Sequence, residues 1–181
     1  MSKTVFAALL ALGLCACSNG DARAGDSAAP DATAAGTATG TGTGAAPGQA
    51  AATLSVTIHS ANGAHVFTVE SAKTEAEQAR GLMYRTDLKP NRGMLFWPYP
   101  TDGSGPHEAN FWMKNTPSPL DIIYIRADRT IARIAENTIP FSETPIPSGE
   151  PVGAVLEIMG GRAGELGIAE GDRVEWPGAP G

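Results

Sequence analysis

Cysteine is nearly absent: of 181 residues only Cys15 and Cys17 are cysteine, and none follows position 17. The rest of the chain can form no disulfide and offers no thiol as nucleophile or metal ligand. Roughly 120 residues bury enough surface to fold without such staples. Basic charge is also short. Thirteen Lys and Arg face 19 Asp and Glu, for a formal net charge of −6. No basic patch of the kind that grips nucleic acid is expected. The longest apolar run, Val5 to Leu14, is far shorter than the about 20 residues of a spanning helix. No Gly-x-Ser-x-Gly elbow, phosphate-binding loop or dinucleotide fingerprint is present. His59, His65 and His107 stand at no recognised ligand spacing. Neither a metal nor a cofactor is expected.

What is present at the N-terminus speaks of location. Lys3 precedes the apolar run, which closes on Leu14-Cys15-Ala16-Cys17. Too short to span, the run reads as the apolar region of a signal peptide. It resembles the signal peptide and lipobox of bacterial lipoproteins. The resemblance implies that Cys17 takes a diacylglyceryl group and becomes the new N-terminus, since Ala16 is the small residue such cleavage needs and Leu14 before Cys15 is bulky. Diacylglyceryl plus an N-acyl chain exceeds the about two signals that stable anchoring requires. By the same resemblance, Ser18 in place of an aspartate favours the outer membrane in a cell that has one. The expected location is the cell envelope, facing the periplasm.

From Ser18 to Ala52 the chain has no Val, Ile, Leu, Met or aromatic residue. Such a segment cannot bury enough apolar surface to offset its ordering entropy. Gly36 to Gly44 alternates Gly with Thr or Ala, the composition of a flexible tether with an rms reach of roughly 30–35 Å. The organisation is therefore signal peptide 1–16, lipidated cysteine and linker 17–52, globular domain 53–176, and a Pro/Gly tail 177–181 expected to fray.

Within the domain, Leu54, Val56 and Ile58 alternate with polar residues, the period of a half-buried strand. Asn62-Gly63 predicts a hairpin, with Val66 to Glu70 returning. Thr74-x-x-Glu77 is a capping box opening a helix over about 75–83. Short strands are expected over 94–97, 109–114, 120–125, 130–135, 152–159 and 173–176. Pro140 to Pro151 reads as a long Pro-rich loop, and a helical turn over 163–166 ends at Gly167 in the left-handed region. The fold class is α+β, mostly β: a small bent sheet or barrel with one clear helix and one short helical turn.

Four segments stand out together: Arg80-Gly81-Leu82-Met83-Tyr84-Arg85; Gly93-Met94-Leu95-Phe96; Phe111-Trp112-Met113-Lys114-Asn115-Thr116 with Pro119-Leu120-Asp121-Ile122-Ile123; and Val155-Leu156-Glu157 with Gly161 and Gly171-Asp172. In this order and spacing they resemble the uncharacterised domain-of-unknown-function 192 family of bacteria and archaea, over essentially all of Val56 to Val174. The resemblance implies the mostly-β, small-barrel outline and no settled activity.

The candidate residues are few. Arg80 has a planar fork suited to a carboxylate, and Asp121 at a strand start is its expected structural partner, with a ligand role as the alternative. Trp112 could serve as a stacking platform with Lys114 and Asn115 as polar contacts, or all three could cover the core. Glu157 lies alone on an apolar strand. Asp121 and Glu157 are the one carboxylate pair to test for glycoside cleavage, which needs two carboxyls at a defined separation. Three functions follow. The first is a non-catalytic binding module for a small polar molecule, an envelope glycan or a partner protein, using Arg80, Trp112, Lys114, Asn115 and Asp121. The second is an envelope glycan hydrolase using Asp121 and Glu157. The third is a scaffold or assembly factor with an exposed apolar face.

Overall fold

The computed structural model describes residues 52–179. The expected signal peptide, Cys17 and nearly all of the linker lie outside them. Two strands open the domain, β1 (Thr53–Ser60) and β2 (Gly63–Ala72), paired antiparallel with Ser60 opposite Gly63. The hairpin sits where Asn62-Gly63 predicts it, but the two loop residues are Ala61 and Asn62. Positive φ falls on Gly63 alone of these three, at 119°.

Helix α1 (Glu75–Arg80) follows, with both hydrogen bonds of the Thr74/Glu77 capping box in place. It stops three residues short of the expected Met83. Gly81 adopts φ 48°, ψ −138°, a backbone that strongly favours glycine, and this ends the helix. The helix carries the chain across so that β3 (Arg92–Phe96) runs parallel to β2, as a parallel pair requires a crossover.

Next come β4 (His107–Phe111), β5 (Leu120–Ile125), β6 (Ile131–Ala135), β7 (Ile146–Val152) and β8 (Ala154–Met159). Helix α2 (Arg162–Leu166) and β9 (Arg173–Glu175) complete the set. The main sheet has the order β6-β5-β8-β3-β2-β1-β9, and its two outer strands meet. Thr130 bridges Arg173, Ile131 N–H donates to the Asp172 carbonyl at 2.9 Å, and Val174 N–H donates to the Arg129 carbonyl at 2.8 Å. The sheet thus curls into a nearly closed barrel.

β4 and β7 form a separate two-stranded layer. The expected 109–114 strand is shifted to 107–111. The expected 140–151 loop contains β7 despite Pro147 and Pro151. In a two-stranded layer each strand has a free edge, where a residue without an N–H breaks no ladder.

Burial divides the apolar residues in two. Val56, Ile58, Phe67, Val69, Leu95, Ile123, Ile125, Leu156, Ile158 and Val174 form one cluster. It draws on nearly every strand of the main sheet and fills the barrel. Phe96, Met113, Leu120, Ile122, Tyr124 and Val155 belong to a second cluster with Leu82, between the outer face of the sheet and the β4–β7 layer. This is why all six residues of β5 are buried: both faces of the strand are covered, and alternation disappears. Of the expected frayed tail, Ala179 packs against the first cluster. Among the described residues no helix is long and apolar enough to cross a membrane.

Candidate functional site

Glu157 occupies a position that the β pleat makes costly. Successive residues of β8 face opposite sides. Leu156 and Ile158 enter the barrel and Val155 joins the outer cluster, so Glu157 faces outward beneath the second layer, 5% exposed. Its Oε2 has no hydrogen-bond partner. Burial pushes its pKa up to about 8, opposed by a hydrogen bond from the Leu82 backbone N–H. At neutral pH the group is a neutral acid. It can both donate and accept a hydrogen bond, which a carboxylate cannot.

The turn after α1 lies directly on this acid because Gly81 has no side chain. A Cβ there would stand 3.2 Å from the Phe96 ring and 3.7 Å from Glu157 Oε2. Around this point a cleft of about 350 Å³ opens, with Glu157 in its lining, Arg80 and Met83 on the α1 side, and Asn110, Phe111 and Trp112 on the β4 side. Phe111 is fixed by edge-on packing against Phe96 at 5.0 Å and Tyr124 at 6.0 Å between centroids. Tyr124 is fixed in turn by its hydroxyl, which donates to the Ile146 carbonyl. The apolar wall is therefore rigid, while Arg80 and Trp112 are exposed at the rim.

The structure brings Arg80, Trp112 and Glu157 to one cleft and takes Asp121 elsewhere. Asp121 is wholly buried and pairs with Ile158 in the β5–β8 register. Its Oδ1 accepts the Asn137 and Gly161 N–H groups at 2.7 and 2.8 Å, and its Oδ2 accepts the Ala163 N–H at 2.7 Å. These bonds tie the start of α2 and the end of β6 to the sheet. The expected Arg80–Asp121 pair is thereby corrected, because Asp121's partners are backbone N–H groups on the far side of the sheet from Arg80. The same geometry separates Asp121 from Glu157, so the two carboxyls share no cleft.

Lys114 sits beside the cleft. Its ammonium lies 5.1 Å from the centre of the Trp112 ring and 3.4 Å from Glu143 Oε2, so it props one face of the indole. Asn115 is not in the lining. It holds φ 55°, and its carbonyl accepts the Tyr84 N–H at 2.8 Å. Asn115 thus joins the 81–85 turn to the loop after β4. Sequence reasoning did not reach Gln78, Tyr99 or Asn110, which also line the cleft. Gln78 spends both amide hydrogens on the carbonyls of Ala72 and Pro98, leaving its oxygen free to accept. Tyr99 is anchored by its N–H to the Gly153 carbonyl at 3.1 Å. No local pattern marks these residues, because the β4–β7 layer brings them together.

His59 and His65 are neighbours across the β1–β2 hairpin but take opposite faces of it, and His107 lies on β4. His59 Nε2 lies 3.3 Å from Glu175 and His65 Nε2 lies 2.9 Å from Ser60. No cluster of three metal-ligating side chains occurs among the described residues.

The model of the family DUF192, described as uncharacterized ACR, matches residues 56–176. A protein of unknown function from Novosphingobium aromaticivorans, solved by crystallography, is 46% identical. The match covers 78% of this chain and 100% of that one with a TM-score of 0.66. A putative transcription regulator from Sinorhizobium meliloti, also solved, is 41% identical over 71% of this chain and 98% of that one, with a TM-score of 0.65. No curated protein matches the chain.

Proposed function

The chain belongs to the uncharacterised DUF192 family, and we propose that it is a non-catalytic binding module that holds a small, neutral, hydroxyl- or amide-bearing ligand. The carrying observation is the unpartnered Oε2 of Glu157 in a cleft with a half-exposed tryptophan at its rim. A buried polar atom without a partner costs about 1–3 kcal/mol. A ligand group that bonds it recovers that cost, which favours ligands able to meet a neutral acid. Trp112 offers a flat face and Asn110 an amide. Arg80 adds one positive charge at the rim.

The second part of the proposal is the tether. Lipidation at Cys17 places the domain in the envelope, on the outer membrane by virtue of Ser18, with the Ala/Gly/Thr-rich segment as spacer. The formal charge of −6 suits a small ligand or glycan better than nucleic acid, so the regulatory description of the Sinorhizobium relative is not carried over.

The test is a thermal-shift series on the purified chain with sugars, polyols, amino acids and small anions. Stabilisation follows RT ln(1 + [L]/Kd), about 2.7 kcal/mol at a hundredfold excess over Kd. The expected result is a shift with one class that Trp112→Ala removes. A flat response across all classes, with the chain folded, overturns the binding reading. Cys17→Ala moving the chain from the membrane to the soluble fraction tests the tether separately.

A further inference from the structure

Three loops meet beside the cleft, and each holds a non-glycine residue in the left-handed region: Tyr84 at φ 63°, Asn115 at 55° and Phe141 at 59°. Asparagine tolerates that region, whereas bulky aromatic residues seldom enter it. The loops are pinned by main-chain bonds: Tyr84 N–H to the Asn115 carbonyl at 2.8 Å, Met113 N–H to the Ser142 carbonyl at 2.8 Å, and Phe141 N–H to the Thr116 carbonyl at 3.1 Å. The pinned residues are not core. Tyr84 is 68% exposed and Phe141 62%, with Trp112 between them in sequence at 47%. A fold that strains its backbone to hold aromatic rings in water gains nothing from their burial. Such outliers point from geometry to a use.

The geometry points to a saccharide chain as the ligand, its terminal ring in the Glu157 cleft and its following residues stacked on the crown formed by Tyr84, Trp112 and Phe141. This deepens the binding reading above and rests on it. The chemistry is specific. A pyranose has an apolar C–H face and a rim of hydroxyls. The face calls for exposed, rigid aromatic rings. The hydroxyls call for groups that donate and accept: the neutral acid of Glu157, the Asn110 amide and the free oxygen of Gln78 all serve. Trp112 belongs to both cleft and crown, and Lys114 props one face of its ring at 5.1 Å, leaving the other for a ligand. A nucleotide would also stack, but its phosphates would meet Arg80 as the one cation in the cleft lining. A lipid surface would use the rings and leave the polar cleft idle.

The experiment titrates the purified chain with the monomer, dimer and tetramer of β-1,4-linked N-acetylglucosamine, and with the matching glucose series. The variants are Tyr84→Asn and Phe141→Asn. Asparagine keeps the left-handed backbone and deletes the ring, so folding is preserved. The expected result is a tetramer binding roughly tenfold tighter than the monomer in at least one series. Each variant should lower tetramer affinity about two- to tenfold and leave the monomer unchanged. Equal affinity for monomer and tetramer, indifferent to both variants, overturns the crown while the cleft reading stands. No binding in either series overturns the saccharide assignment, and a thermal-shift hit from another class then keeps the binding module alive. Association with phosphatidylethanolamine–phosphatidylglycerol vesicles that both variants abolish, without any sugar response, assigns the crown to a lipid surface instead and overturns the proposal.

Discussion

Asp121 and Glu157 sit on hydrogen-bonded neighbouring strands, yet they face opposite sides of the sheet. The register sets Asp121 opposite Ile158 and Ile122 opposite Glu157, so the two acids are one step out of phase and the pleat turns them apart. One is wrapped in three backbone donors and holds the fold together. The other is left with a free oxygen beside a cleft. Two buried carboxyls on adjacent strands thus have different tasks, and the two-carboxylate hydrolase arrangement finds no footing in this pair.

The first prediction isolates Glu157 by pH. Its folded pKa of about 8 lies above the ordinary value of 4.5. Between those values the folded state holds a proton that the unfolded state has lost, so stability falls as pH rises through this window and levels off above it. The total is on the order of 5 kcal/mol. Glu157→Gln cannot ionise. Its melting temperature relative to the parent should climb from pH 5 to pH 8 and then stay flat. A difference that does not vary with pH would mean that Glu157 is ionised throughout.

Asp121→Asn should destabilise without touching the cleft. Its oxygen can still serve two N–H groups, but the amide NH₂ would face the Ala163 N–H, donor against donor. A cost of about 2–3 kcal/mol is expected, read from urea midpoints at an unchanged m-value. Ligand affinity should be the parent's. Loss of affinity at full stability would place Asp121 in the site after all.

Much of the fold was legible before the structure, and the misses have physical reasons. The Ile-rich run of β5 and the capping box at Thr74 are local signals: β5 spans the predicted residues and α1 starts at the predicted cap, though it ends early at Gly81. β7 was missed because Pro147 and Pro151 read as loop residues unless the strand's partner is known to leave it a free edge. Glu157 was visible as a lone acid on an apolar strand. Its separation from Asp121 was not, because which face a residue takes depends on a register between strands far apart in sequence. Arg80 and Trp112 were singled out from their own segments. The cleft that joins them exists because the β4–β7 layer lies over the sheet, which no single segment records.

Gly93 should tolerate no side chain. A Cβ there would stand 2.1 Å from the Glu157 carbonyl oxygen, which is backbone and cannot step aside. Gly93→Ala must part β3 from β8 in the middle of the main sheet. The expected loss exceeds about 4 kcal/mol, at the severe end for single substitutions. Circular dichroism of the purified variant checks it. A native spectrum with a melting point near the parent's would show that β3 and β8 can shift apart.

Gly81 separates closure of the cleft from loss of the fold. Its φ of 48° with ψ of −138° disfavours alanine by about 1–3 kcal/mol, and the new methyl would press on the Phe96 ring at 3.2 Å and cover Glu157 Oε2 at 3.7 Å. Phe96 is a side chain and can give by tenths of an ångström, so Gly81→Ala should still fold. Two effects should then appear together. The melting temperature should drop moderately, and the response to any ligand that stabilises the parent should fall sharply, because the acid is capped by a methyl group. The control is Ala76→Gly on the same helix, outside the cleft lining, which weakens α1 by about 1 kcal/mol without adding or removing an atom in the cleft. If the two variants lose stability alike but only Gly81→Ala loses the ligand, access to Glu157 governs binding. If both lose it alike, helix stability governs binding and the open approach over Gly81 does not.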